Sequence, residues 1–189
     1  MTSQNTPRTV SNPSFPQSII LDKWEDAGFS WEGEVTPMLF PRLLELVDTN
    51  HRKTAINLCC KLEKRDNVTW LSMSFDGALW VICQRCLQPL DIELDYEEKL
   101  ALLYDESQSS LLDDEIDYVL LDEVISTQQH QRLLPLAELV EDELLLNVPL
   151  SAKHEDCEMM VAQVGDIPED EESDNPFAVL AGLKEQLSE

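Results

Sequence analysis

The amino-acid sequence predicts an α+β fold: a curled, hairpin-rich antiparallel sheet with two packed helices and a tethered C-terminal helix. Three patterns lead there. Between Lys53 and Tyr104 apolar residues recur at every second position, the period of a half-buried strand. Pro41 and Pro135 each open a stretch with helical apolar spacing. An amphipathic segment at 175–189 follows an acidic run almost without apolar groups.

The elements follow in order. Residues 1–20, rich in Ser, Thr, Asn and Pro, read as a flexible N-terminus without the basic and apolar regions of a signal peptide. A single α+β domain is expected over 21–162. In it Phe29, Trp31, Gly33 and Val35 alternate with polar residues as a strand that Pro37 ends, and Leu43, Leu44, Leu46 and Val47 give a short helix after Pro41 its apolar face. Ile56, Leu58, Cys60 and Leu62 mark the next strand. Leu71, Met73 and Phe75 mark another, and Asp76-Gly77 reads as a two-residue hairpin turn into Ala78–Cys83. From Leu90 to Tyr104 the even positions are mostly apolar, against Asp91, Glu93, Asp95 and Glu97, which predicts one long, bulged strand. Residues 105–116 read as an acidic loop and Tyr118–Ile125 as one more strand. A helix from Pro135 to Pro149 carries Leu136, Leu139, Val140 and Leu144 on one face. Residues 163–174 form an acidic linker, and 175–189 a helix bearing Phe177, Leu180, Leu183 and Leu187.

Charge divides the chain. Residues 1–90 hold nine Lys and Arg against ten acids, whereas residues 91–189 hold four against 28, giving the net −25 of the whole. Such a chain repels bare phosphate backbone and anionic membranes and attracts basic proteins. No apolar run nears the ~20 residues that cross a bilayer. Five cysteines without an export signal indicate a reducing compartment, and the expected location is cytoplasmic.

Cys83-Gln84-Arg85-Cys86 offers two thiolates at metal-ligand spacing, and His154-Glu155-Asp156-Cys157 repeats that spacing with an imidazole and a thiolate. Three readings stay open: a structural Zn2+ held by Cys83, Cys86, His154 and Cys157, a tight turn in which the cysteines only pack, and redox chemistry. The redox reading lacks the helix start that lowers a thiol pKa. Cys59 and Cys60 point to opposite faces and do not chelate as a pair.

The string Val81-Ile82-Cys83-Gln84-Arg85-Cys86-Leu87-Gln88-Pro89-Leu90 resembles the core motif of the YceD family, the large ribosomal RNA subunit accumulation proteins. Trp31-Glu32-Gly33 with Arg42-Leu43, the stretch Val140–Pro149, and Asn175-Pro176-Phe177-Ala178-Val179-Leu180-Ala181 agree with it in the same order. The resemblance implies a cytoplasmic, non-enzymatic factor for the synthesis, processing or stability of large-subunit ribosomal RNA, with a large-subunit precursor as partner. An acidic holding protein for a basic ribosomal protein is the first alternative. The second is a Mg2+-dependent ribonuclease using Asp113, Asp114, Glu115 and Asp117.

Residues for either binding role can be named. Arg52, Lys53, Lys61, Lys64, Arg65 and Arg85 give residues 51–86 six basic groups against three acidic ones, with Trp70 and Trp80 nearby to stack on a base. Cross-strand pairing with the acids at 91–97 absorbs Lys61 and Arg65 if those strands are neighbours. Phe177, Leu180 and Leu183 are the expected contacts of the last helix with a partner, the alternative being a cap on the sheet. No glycine-rich phosphate loop, nucleophile elbow or paired nucleophile and base marks an enzyme.

Overall fold

Alternation of side chains across the pleat assigns most of the middle of the chain to one sheet. The computed structural model describes residues 8–9, 14–113 and 116–159, with its elements inside the compact unit Met1–Glu158. In chain order these are β1 (Arg8–Thr9), β2 (Ile19–Ile20), α1 (Leu21–Trp24), β3 (Phe29–Val35), α2 (Pro41–Leu46), β4 (Ile56–Arg65), β5 (Val68–Ile82) and β6 (Pro89–Leu103). They continue with β7 (Tyr118–Leu120), α3 (Leu121–Val124), β8 (Ser126–Gln128), β9 (Gln131–Leu134) and α4 (Leu136–Leu146). Short 3-10 helices span Pro37–Leu39 and Glu106–Leu111. The fold class is α+β, and both sheets are open. One has the order β1-β3-β4-β5-β6-β7 and the other β2-β9-β8. The larger is antiparallel through β3 to β6 and parallel at its edges, where β1 joins β3 and β7 joins β6.

The hairpin is not where Asp76-Gly77 placed it. β5 runs through those residues without interruption, pairing Asp76 with Asn57 and Asp95 on its two sides. The turn is Asp66-Asn67, whose φ angles of 49° and 64° are those of a two-residue type I′ turn, closed by Arg65 opposite Val68. Asp and Asn tolerate the left-handed region because their short side chains bond locally. Gly77 has a different task. Its φ is 143°, and a Cβ there would sit 3.3 Å from the Ala55 carbonyl oxygen and 3.4 Å from the Ile56 Cα, so glycine permits the close approach of β4. The expected bulge in β6 is also absent, since the register runs unbroken from Thr69 opposite Leu102 to Ile82 opposite Pro89.

The inner face of the sheet packs Phe29, Trp31, Leu58, Leu62, Leu71, Met73 and Phe75 against Leu136, Leu139, Val140 and Leu144 of α4. Phe15 lies edge-on to Trp31 with centroids 4.9 Å apart, so residues of the N-terminal segment enter this core. On the outer face, one end is covered: Val68, Ala101 and Leu103 are buried with Trp70, Leu112, Ile116 and Leu120. That second cover explains why Leu100 through Leu103 are all buried, whichever face they occupy. Elsewhere the outer face exposes Asn57, Lys61, Asp76, Asp91, Glu93, Asp95 and Glu97.

Two regions depart further from expectation. The strand predicted over Tyr118–Ile125 ends at Leu120, and α3 follows directly. The small sheet β2-β9-β8 had no period to announce it, because Ser126–Gln128 is polar and exposed on every side. Its hairpin turns on Gln129 and His130, both in the left-handed region at φ 49° and 63°. Residues 114–115 and the expected linker and helix at 163–189 lie outside the described residues.

Candidate metal centre

Strands β5 and β6 close at Ile82 opposite Pro89, and the six residues between them form the turn that carries Cys83 and Cys86. The Cys83 amide donates to the Gln88 carbonyl at 2.9 Å and the Leu87 amide to the Cys83 carbonyl at 2.9 Å. Leu87 enters the left-handed region at φ 58° to complete this loop. The chain returns after α4, and the central pair of the motif fastens it. Gln84 donates its amide to the Ala152 carbonyl at 2.8 Å and its Nε2 to the Leu150 carbonyl at 3.1 Å. Arg85 donates through Nη2 to the carbonyls of His154 and Glu155.

This brings the four candidate ligands together. Their donor atoms lie within 4.8 Å of one another. Cys83 Sγ is 3.7 Å from Cys157 Sγ, and Cys86 Sγ is 3.3 Å from His154 Nδ1. Tetrahedral geometry with Zn–S near 2.3 Å and Zn–N near 2.05 Å requires about 3.8 Å between sulfurs and about 3.5 Å between sulfur and nitrogen. The Cys83–Cys157 and Cys86–His154 separations lie within a few tenths of an ångström of these values. Only Cys83 is fully buried, and the other three are partly accessible.

The surroundings favour the ligand states a cation needs. His154 Nε2 faces the Pro89 carbonyl oxygen at 3.2 Å, so its proton belongs on Nε2 and the Nδ1 lone pair is turned to the sulfurs. Arg85 Nε donates to Cys157 Sγ at 2.9 Å, which sets a positive charge beside the sulfur cluster. Burial pushes the Cys83 thiol up, but the amides of Cys86, His154 and Arg85 outweigh it and bring the thiol down to about 5. At Cys86 the Gln88 amide acts downward, while burial and the Cys83 and Cys157 sulfurs leave the thiol above its ordinary value.

The six basic candidates do not converge. Lys61 and Arg65 point from the outer face of β4, Lys64 from the inner face, Arg85 lies in the metal-like turn, and Arg52 and Lys53 follow α2. Four of the six have their charge or donors engaged or half-covered. Lys64 meets Glu25 at 2.8 Å, Arg65 meets Glu63 at 2.6 Å, Arg85 is spent on Cys157, and Arg52 is half-buried. The predicted pairing of Lys61 and Arg65 with the acids of β6 does not occur, because β5 lies between β4 and β6. Trp80 is stacked on His51 at 4.4 Å, and Trp70 belongs to the outer apolar cluster. Cys60 is buried and Cys59 half-exposed on the other face, as their parity required.

Of the acidic cluster, Asp113 and Asp117 are described while Asp114 and Glu115 lie outside the described residues, as do Phe177, Leu180 and Leu183. Among the described residues, Cys83, Cys86, His154 and Cys157 are the one group placed to share a cation. The docking roles of Gln84 and Arg85 were not foreseen; their place between two ligands was the available signal. No helix among the described residues is long and apolar enough to cross a membrane. A family model, large ribosomal RNA subunit accumulation protein YceD, matches residues 71–184, a span that holds both halves of the ligand set. No solved structure matches the chain.

Proposed function

Because this chain belongs to the YceD family, we propose that it is a non-enzymatic, cytoplasmic factor in biogenesis of the large ribosomal subunit, supporting synthesis, processing or stability of its RNA. The family match carries this reading, and the net charge of −25 agrees with a factor that acts through protein contacts more than through phosphate. Depletion followed by RNA profiling is the test. The expected result is a loss of mature large-subunit RNA with small-subunit RNA preserved; unchanged mature and precursor large-subunit RNA overturns the proposal.

The same reading includes one structural Zn2+ on Cys83, Cys86, His154 and Cys157. Three thiolates and one imidazole are a zinc donor set, and the cation would pin the β5–β6 turn to the segment after α4, leaving a net negative charge that Arg85 offsets. The second reading is an acidic holding protein for a basic ribosomal protein, favoured by the 28 acids of the second half. Purification with nuclease treatment separates them. Partners retained after RNA is digested support holding, and partners lost with the RNA support action on the precursor particle.

A further inference from the structure

One of the two longest strands of the sheet, β6, has an open side. β7 pairs with β6 only at Ala101–Leu103. The amide of Ala101 donates to Asp117, so the odd-numbered residues of β6 turn their backbone groups away from β5. Pro89 obeys the same rule at the other end, where its carbonyl meets His154, and the Lys99 amide is taken by the Glu98 carboxylate. Between these stoppers, Asp91, Glu93, Asp95 and Glu97 present backbone groups with no strand partner among the described residues. The stretch is roughly 25–30 Å long, room for a strand of about eight residues.

The same four residues carry a carboxylate each, all exposed on the outer face, and none is in an ion pair among the described residues. Asp95 faces Asp76 directly across the ladder, an arrangement of like charges that a cation relieves. On the inner side of the same edge Leu90, Ile92 and Tyr96 are only partly covered. An edge of this kind repels a second copy of itself and admits a strand of opposite charge. The C-terminal stretch 160–189 is an unsuitable occupant, since it holds eight acids against Lys184 alone.

We propose that the β6 edge from Asp91 to Lys99 is a docking site for an extended, basic segment of a partner protein, added as a strand with Lys or Arg over the acid ladder and apolar residues over Ile92 and Tyr96. The proposal goes beyond the ribosomal role and stands whether or not that role does. Main-chain bonds to the odd residues would give affinity, and the alternating side chains would give selectivity.

The test uses the full chain, amide hydrogen exchange, and an eight-residue peptide alternating Lys with Val or Thr. In the free chain the amides of Glu93 and Asp95 are expected to exchange fast, and slow exchange there overturns the proposal by showing that the edge is already covered. With the peptide they should slow by about tenfold or more, and a peptide of the same charge carrying Pro at alternate positions should not protect them. Joint replacement by Asp91→Asn, Glu93→Gln, Asp95→Asn and Glu97→Gln should weaken binding by about tenfold or more without lowering stability, because it removes repulsion. Equal binding of the Pro peptide, unchanged affinity in the fourfold variant, or protection of these amides by oligouridylate in place of the peptide each overturns it.

Discussion

The amide of Leu43 donates to the buried carboxylate of Glu141 at 3.0 Å, across 98 positions of sequence. The Arg42 amide reaches the same oxygen at 2.6 Å, and the Arg42 Nε takes the other at 3.0 Å. One side chain of α4 therefore satisfies the first free amides of α2, a helix whose N-cap, Phe40, offers no side-chain acceptor. Glu141→Ala strands those amides and should cost about 2–4 kcal/mol in urea unfolding, whereas Glu138→Ala on the exposed face should cost less than about 0.5 kcal/mol. Equal effects would remove the clasp from the account of stability.

Metal content gives the second expectation. Purified protein should carry one zinc per chain, Cys83→Ser should lose it, and a chelator should lower the melting temperature of the native chain only. Cys59→Ser, on the outer face of β4, should keep the metal. Absence of zinc by elemental analysis together with stability indifferent to chelator would falsify the site.

Turn chemistry supplies a third. Gly77→Ala puts a side chain at φ 143° against the backbone of Ala55 and Ile56 and should destabilise by about 1–3 kcal/mol. Asn67→Gly, in the left-handed second position of the true turn, should be neutral or slightly stabilising. A hairpin at Asp76-Gly77 would reverse the sensitivity of the two sites.

The fourth concerns Glu143 on α4. Burial first, then the charges of Glu98, Asp117 and Asp142, push its carboxyl up to about 7. A carboxyl raised in the folded state favours the protonated form. Its charge therefore weakens the fold above pH 7, and the penalty fades as pH falls from 7 towards the ordinary 4.5. Glu143→Gln should raise the melting temperature by roughly 2–4 °C at pH 8, modest because the group is half-exposed, and leave it unchanged near pH 4.5. An equal gain at both pH values would point to packing instead of charge.

Parity made β3, β4 and the inner face of β6 legible, since Phe29, Leu58 and Leu94 each sit inward with their neighbours outward. The proximity of Cys83, Cys86, His154 and Cys157 was legible for a similar reason: paired spacing survives folding. Asp76-Gly77 misled because Asp-Gly satisfies a local rule, while Phe75, Leu79 and Val81 already kept one parity straight through it. Sequence says little about which strands are neighbours, so the pairing of Lys61 with the β6 acids rested on an adjacency that β5 removes. Glu141, Gln84 and Arg85 act over 66 to 99 positions and leave no local period to read.

The four candidate ligands also have an order of appearance during synthesis. Cys83 and Cys86 are made with the hairpin they close, but Cys157 follows 74 positions after Cys83. For that interval, while β6, β7 and α4 are still being made, the nascent chain holds a bare dithiol, open to oxidants and to whatever soft cation arrives first. Closing so long a loop late costs chain entropy that only the last ligands repay. A centre on these four residues is therefore complete only when α4 has folded and the chain has returned, and a ribosome that stalls before Cys157 releases a product with half of the candidate site.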